Sequence, residues 1–370
     1  MAGSFTMVGK IVPIKDTEKF KGYEEMVFSS KWMTQKLRWN FVCGDDRHLV
    51  EINAGRWQDD AKNSTIYTMS RATATEKSKK IQIPWEKRND PDTIATVAGY
   101  RVFTVDTDTK EHREQVKASG DAQAYADSVK KEKHFLASSD FCDWAKKVVY
   151  SEKVKDMVFK IQGSIVHSYS EKTGKYYSAY EVNKIYRVDE NTEPYSSASI
   201  EFYYAEDFMD KEYVEENGKT IMSGFTPFYD SATKKNWFAP ISLIMRDNKD
   251  TVDVTEEVMS NFDDNEICKA TLSCKIIDGA HKVDIKVTDL DVKIQKAIAA
   301  KVMDEKTAIR NAGGQAYGDK MQEMRFDKIS KSGEHTAYTL ENCMKKPHKE
   351  EDVVDIFNDS DDNNDDEDDI

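Results

Sequence analysis

The sequence predicts a mainly β, α+β fold that contains a small antiparallel barrel, helical insertions and an acidic end. Short segments that alternate apolar and polar residues recur along most of the 370 residues, separated by turn-forming residues. Five such segments fall within about ninety residues after position 156 with little helix between them, a spacing typical of a small barrel. The negative charge, by contrast, is concentrated at one end.

The N-terminal region, residues 1–105, has the pattern of a β-rich domain. Leu37–Cys43 and His48–Asn53 are strand candidates, and Gly44, Asp45 and Asp46 between them have the composition of a tight turn. The two strands therefore predict a hairpin.

Residues 106–155 predict a helical connector. The segment from Asp106 to Glu132 is polar and loses the alternation of the preceding region. Further on, Phe141, Trp144 and Val148 follow Ser139 at helical spacing, which predicts an amphipathic helix capped by that serine.

Residues 156–250 contain the clearest strand pattern and predict the barrel. Met157–Tyr169 alternates, Gly174 marks a turn, and Tyr176–Val188 returns as a long strand. Three further strand candidates complete the set: Ser197–Tyr204, Thr220–Tyr229 and Trp237–Met245. We interpret residues 251–349 as an α+β extension.

The last segment, residues 350–370, is polyanionic. It holds twelve Asp or Glu and no Lys or Arg, so the formal charge of −14 falls to −2 for residues 1–349. Closely spaced carboxylates repel one another and bury little apolar surface, which predicts disorder. Such a tail can dock on a partner or compete with nucleic acid for a cationic groove. It can also serve solubility alone. The candidate partner-binding residues are Phe357, Asp366, Asp368, Asp369 and Ile370.

Aromatic and basic residues lie next to each other at four places in the chain. Unpaired bases stack on aromatic faces while Lys and Arg follow the phosphates, so this mixture is typical of single-stranded nucleic-acid binding. For any one of these aromatics, packing in the core is the more common role. The candidate nucleic-acid-binding residues are Trp32, Lys36, Arg38, Trp39, Trp57, Lys79, Lys80, Trp85, Tyr176, Tyr180, Lys184 and Tyr186.

Two segments resemble the bacterial and bacteriophage single-stranded DNA-binding proteins of the OB-fold type. KVKDMVFKIQGSIVHSYSEKTGKYYSAYEVNKIYRV (153–188) is similar to the first strands of such barrels, and DDNNDDEDDI to their acidic ends. The bacterial proteins close on Pro-Phe, whereas this chain closes on Asp-Ile, and they are much shorter. The phage proteins are the better match because large single-chain variants occur among them. The resemblance implies an OB-like barrel that coats single-stranded DNA in replication or recombination. It also implies a tail that recruits polymerase, primase or helicase.

The sequence indicates the cellular compartment in which we expect the protein. There is no run of eighteen apolar residues that could form a membrane helix, and the N-terminus lacks the pattern of a signal peptide. The five cysteines are scattered without a CxxC pair, which indicates reduced thiols. We therefore expect a cytoplasmic protein, in a bacterial host cell if a phage encodes it.

Two other functions stay open. None of the common nucleotide-binding or hydrolase motifs occurs, and we expect no cofactor, no metal and no catalysis. A metal-dependent nucleic-acid enzyme could nevertheless be built around Asp45, Asp46 and Glu51. A virion or other assembly protein, kept soluble by its acidic tail, is the remaining alternative.

Overall fold

The N-terminal half of the chain is rich in paired strands. The computed structural model describes residues 3–59, 62–210, 219–245, 249–260, 266–279, 292–300, 302 and 321–347. The elements of this half are β1 (Gly3–Pro13), β2 (Tyr23–Val27), β3 (Trp32–Cys43), β4 (Asp46–Trp57), β5 (Thr65–Met69), β6 (Lys80–Pro84), α1 (Pro91–Ala95), β7 (Phe103–Asp106), α2 (Lys110–Ser119), α3 (Ala122–Val129), β8 (Glu132–Phe135), α4 (Ser138–Val149), β9 (Val158–Ser170) and β10 (Lys175–Val188).

Five of these strands close into a ring of pairings. β1 pairs antiparallel with β3, and β3 pairs antiparallel with β4. β4 then meets β10 in parallel through Tyr180↔Val50 and Glu181↔Glu51. β10 pairs with β9, and β9 returns to β1. With α4 between the third and fourth strands, this is the strand order of a five-stranded OB-type barrel.

Alternation along β3 explains which side chains fill this barrel. Its odd-numbered residues from Met33 to Cys43 are buried, whereas its even-numbered residues are half-buried on the other face. Gly44 makes the turn into β4 with a φ of 63°, a left-handed conformation that favours glycine. The predicted hairpin around Gly44 is therefore confirmed, with longer strands than predicted.

The C-terminal half repeats the arrangement. Its described elements are β11 (Tyr195–Tyr204), β12 (Met209–Asp210), β13 (Thr220–Asp230), β14 (Lys235–Met245), α5 (Lys249–Met259), β15 (Glu266–Gly279), α6 (Val292–Ala299), β16 (Met321–Thr339) and α7 (Leu340–Met344). β11 pairs with β13, β13 with β14, β14 in parallel with β16, β16 with β15, and β15 with β11. This second ring has the same order as the first, and α5 occupies the place of α4.

The two barrels share a sheet and a core. β1 pairs antiparallel with β11 from Gly3↔Ile200 to Val8↔Tyr195, and this ladder joins the rings into one fourteen-stranded sheet. A single hydrophobic cluster includes Trp39 and Phe41 of the first barrel and Phe202 and Leu272 of the second. The barrels are therefore packed against each other.

An insertion of about eighty residues, β5 to β8 with α1 to α3, separates β4 from α4, which is long for a connection in a compact domain. β5 and β6 form a separate two-stranded sheet. β7 joins the first barrel by parallel pairing with β10, and β8 pairs with β7. The insertion is thus anchored to the barrel at one edge and carries a hairpin of its own.

The mainly β fold with several helices is confirmed, but the predicted position of the barrel is wrong. Within 156–250, β9 and β10 complete the first barrel, whereas β11, β13 and β14 begin the second. The closing partner of β9 is β1, more than 150 positions earlier by register, and local patterns do not report such pairings.

The other predicted boundaries, at 105, 155 and 250, stay predictions. The helix at 138–149 is confirmed, although Ser139 lies inside it and makes no capping hydrogen bond. The tail at 350–370 lies outside the described residues. Among the helices that are described, none has the length and apolar character needed to span a bilayer.

Candidate nucleic-acid interface

Four predicted residues lie together on the outward face of β3 and β4. Trp32 pairs with Trp57 across the two strands, and their rings meet edge to face with centroids 5.2 Å apart. Gly55 lies directly under Trp32, and a Cβ at this position would overlap the indole. Lys36 and Arg38 follow on the same face at alternate positions of β3. The face therefore combines two aromatic rings with two cations.

Carboxylates partner the two cations. Lys36 Nζ lies 2.9 Å from Glu51 Oε2, and Arg38 Nη1 lies 2.9 Å from Glu24 Oε2. The Arg38 guanidinium also stacks over Phe20, 5.1 Å from the ring centroid. A phosphate approaching this face would therefore compete with Glu51 and Glu24 for the same donors.

Three predicted residues, Lys79, Lys80 and Trp85, lie on the insertion. Lys79 is exposed and forms an ion pair with Glu76 at 3.3 Å, and Lys80 is exposed at the start of β6. The half-buried Trp85 is covered by the guanidinium of Arg88, 4.3 Å from its ring centroid. Residues 62–101 contain eight Lys or Arg against four Asp or Glu, so this first part of the insertion is cationic, whereas positive and negative charges nearly balance over the insertion as a whole.

A cleft of 670 Å³ lies between the first barrel and the insertion. Tyr67 of β5, with 76% of its surface exposed, lines one wall together with Tyr100, which is 49% exposed. Arg101 places its guanidinium 5.5 Å from the Tyr100 ring. The sequence-based candidates omitted these three residues. The adjacent Tyr100-Arg101 pair was the available signal, since it repeats the aromatic–basic pattern used elsewhere.

Three predicted aromatics pack against other side chains. Burial of Trp39 corrects the prediction that it contacts DNA, whereas Tyr176 and Tyr180 are half-buried and their DNA contacts stay predictions. Trp39 is fully buried in the first barrel and cannot reach a base. Tyr180 packs edge to face against Phe5 with centroids 5.4 Å apart, and burial raises its pKa. Tyr176 packs against Tyr169 and against Phe228 of the second barrel, where it helps to join the two barrels.

Lys184 and Tyr186 lie on β10 beyond a β-bulge. The register shifts between Val182 and Lys184, so Ile185 faces the core and its two neighbours face outward. Burial raises the pKa of Tyr186, and a hydrogen bond with Thr104 of β7 opposes this increase. Lys184 pairs with the same β7 residue in the ladder. Both residues therefore lie on the part of β10 that pairs with the insertion.

The residues of the proposed metal cluster are not brought together as ligands. Glu51 lies on the outward face and binds Lys36, whereas Asp46 accepts a hydrogen bond from the backbone N–H of Asp278 in the second barrel. Asp45 belongs to the two-residue turn between β3 and β4. No group of three potential metal ligands occurs in the part of the chain that the structure describes.

The matching face of the second barrel is built differently. Phe225, Phe238, Tyr203 and Tyr338 form an aromatic cluster there, which includes the buried Cys343 of α7. β13 and β14, both described in full, contain one basic residue, Lys235. These two strands therefore contribute little positive charge, and the aromatic cluster is packed by the protein itself, with Lys269 of β15 over the Tyr203 ring at 5.9 Å.

Comparison with known proteins yields little. No protein-family model matches the chain, and no curated protein has a matching sequence. One solved structure, a deletion mutant of the single-stranded DNA-binding protein from Thermus aquaticus, is similar over 89% of this chain and 93% of its own length, with 4% identity and a TM-score of 0.33. A similarity of this size supports no conclusion, so any functional proposal depends on the described residues and on the sequence itself.

Proposed function

We propose that this protein binds single-stranded DNA, without catalysis, on the outward face of β3 and β4 and along the adjoining insertion. The observation that carries the proposal is the location of Trp32 and Trp57. They lie beside Lys36 and Arg38 on the second and third strands of an OB-type ring, the face on which such barrels bind oligonucleotides.

Residues 62–101 of the insertion supply the surplus of positive charge that the face of β3 and β4 lacks. Lys36 and Arg38 are paired with acids, whereas residues 62–101 have a surplus of positive charge. Exposed Tyr67 and Tyr100 add ring faces on which bases can stack. A DNA strand that lies between the first barrel and the insertion would therefore contact aromatic rings on both sides and cations mainly on the side of the insertion.

We further propose that the protein coats single strands during DNA replication or recombination, with phage replication as the context. The acidic segment that holds Phe357, Asp366, Asp368, Asp369 and Ile370 would recruit replication proteins such as polymerase, primase or helicase. The same polyanion would compete with DNA for the cationic segment 62–101 of the insertion. Both roles rest on the charge distribution of the sequence.

The test is a fluorescence-anisotropy titration of labelled oligo-dT at about 50 and about 300 mM salt, the range over which phosphate contacts weaken most visibly. The full chain is compared with a chain that ends at Lys349. We expect salt-sensitive binding by both and tighter binding by the shorter chain. Absence of binding by both chains at low salt would remove the proposal.

One observation favours the assembly alternative. β2 pairs with β3 alone in the described sheet, and its end exposes Met26 (59%), Val27 and Phe28 (45%). Exposed apolar residues on an edge strand can join a second copy. Light scattering after size exclusion separates the functions: ordered oligomers without affinity for oligo-dT would favour assembly.

A further inference from the structure

The cleft between the first barrel and the insertion has a wall of hydrogen-bond acceptors. Asn53 Nδ2 donates to Glu51 Oε1 at 2.7 Å and to Glu181 Oε1 at 2.5 Å. These two bonds use both hydrogens of the amide. Asn53 Oδ1 and Glu181 Oε2 have no hydrogen-bond partner among the residues that the structure describes. Both side chains line the cleft.

A carboxylate in this position is unfavourable for a site that only follows the DNA backbone. Glu181 would repel any phosphate placed in the cleft, and its carboxylate accepts a hydrogen bond from the uncharged amide of Asn53, which does not neutralise it. The electrostatic conflict disappears if the phosphates lie over the cationic segment 62–101 of the insertion and a base edge turns toward Asn53 and Glu181.

The acceptors distinguish among bases. Cytosine presents an N4 amino group, a donor that Asp and Glu side chains accept, whereas thymine presents an O4 acceptor at the same position. An acceptor facing O4 is repelled and left without a partner. Stacking alone does not make this distinction, since every base has a π face.

We propose that this cleft holds one unpaired base between Tyr67 and Tyr100 and selects bases that carry an exocyclic amino group, with cytosine preferred over thymine. The inference rests on the proposed function and adds to it a base preference. Glu181 and Asn53 read the amino group, and the two tyrosines supply stacking surfaces that tolerate any base. Binding to mixed single strands would then be general, with an added contribution wherever an amino-bearing base reaches the cleft.

The experiment compares labelled dC and dT 20-mers, which have equal charge and similar size, in anisotropy titrations of the full chain near pH 8. We expect the full chain to bind dC at least about fivefold more tightly, the lower end of what a well-placed base-edge contact provides.

Glu181→Gln keeps an oxygen that can accept from Asn53 and replaces the other oxygen with an amide donor. The dC:dT ratio should fall below about twofold, mainly through weaker dC binding.

The matched control is Glu114→Gln, which removes the same charge from an exposed position on α2 that does not line the cleft. It should keep the wild-type ratio. Thermal unfolding followed by circular dichroism confirms that each variant is folded.

The outcomes separate the two proposals. Equal, salt-sensitive binding of dC and dT by the wild-type chain would overturn the base preference and leave DNA binding intact. A dC preference that persists in Glu181→Gln would overturn the assignment to this cleft. Absence of binding to both oligomers would overturn the base preference together with the proposed function.

Discussion

The two barrels have one strand order and two different outward faces. In the first barrel, Trp32 and Trp57 remain accessible beside Lys36 and Arg38. In the second, Phe238 of the third strand is buried in an aromatic cluster that includes Cys343 of α7. A shared topology therefore does not give the barrels a shared function, because the residues at alternate positions of the second and third strands decide what each face can bind.

The second barrel uses its aromatic residues for its own packing. Tyr203, Phe238 and Tyr338 meet edge to face at 5.0 to 5.9 Å. Burial raises the pKa of the Cys343 thiol in the same cluster to about 12. These three rings are therefore occupied by contacts with one another, whereas Tyr229 at the other end of β13 is exposed. We therefore propose the first barrel as the site of single-stranded DNA binding.

The largest expected effect is a loss of stability, which should be much greater for a residue inside the first barrel than for one on its outward face. Trp39→Ala removes a fully buried indole, and we expect the free energy of unfolding to fall by about 3–5 kcal/mol. Trp32→Ala on the same strand should cost clearly less, because Trp32 is half-buried on the outward face. Urea unfolding of both variants measures the difference. Equal losses would contradict the assignment of the two faces.

The next prediction compares the two outward faces directly. The double variant Trp32→Ala, Trp57→Ala removes two stacking surfaces at about 1–3 kcal/mol per base, so its affinity for oligo-dT should fall roughly thirtyfold or more. Tyr229→Ala, at an exposed position of β13, should change the affinity less than about twofold. Anisotropy titration at low salt measures both. A decrease of the same size from Tyr229→Ala would place DNA on the second barrel as well.

The third prediction concerns the cations of the insertion. Lys77 and Lys79 are exposed between β5 and β6, and Lys80 is exposed at the start of β6. Replacing all three with alanine should reduce the slope of log affinity against log salt by about 0.7 for each phosphate that the variant no longer binds. Lys110→Ala, an exposed position on α2, serves as the control and should leave the slope unchanged. An unchanged slope in the triple variant would exclude the insertion from the path of the DNA.

The smallest effect concerns pH and the junction of the barrels. His48 of β4 is fully buried, and neither ring nitrogen has a hydrogen-bond partner among the described residues. Burial lowers its pKa, although Asp46 and Asp278 nearby oppose the decrease. His167, beside a cavity between the barrels, has its pKa lowered to about 4 by burial.

A histidine with a lower pKa when folded binds protons more readily in the unfolded chain. Above the unfolded pKa of about 6.5 both histidines are neutral in the folded and in the unfolded chain, so proton binding does not reduce stability there. Stability is lost as the pH falls from there toward their folded pKa values. We expect the melting temperature to decrease from pH 7.5 to pH 5, and to decrease less in His48→Leu. A melting temperature that is constant over this range would contradict the prediction.

Local patterns in the sequence predict several elements correctly. The turn at Gly44, the helix containing Phe141 and the strands on both sides of Gly174 all follow from spacing and turn-forming residues. Alternation also distinguishes Trp39 from Trp32, because Trp39 shares the parity of Leu37 and Phe41, whereas Trp32 shares that of Lys36 and Arg38. Composition alone treats all the tryptophans alike and misses this distinction.

Other features depend on distant parts of the chain. The bulge between Val182 and Lys184 reverses the parity of β10, so strict alternation fails for Tyr180 and Tyr186. The barrel closes by the pairing of β1 with β9. Most of the N-terminal half, including the insertion, lies between these two strands in the sequence. The cleft exists only because that insertion folds back over β4 and β10, and so no local window containing Tyr67 could predict it.

The most direct test of the central claim is to map where DNA contacts the chain. Bromodeoxyuridine-substituted oligo-dT is photocrosslinked to the full chain, and the attached peptides are identified by mass spectrometry. We predict crosslinks in peptides from β3, β4 and the insertion, at aromatic residues such as Trp32, Trp57 and Tyr67. Crosslinks confined to β13, β14 or α7 would contradict the assignment of the DNA site to the first barrel.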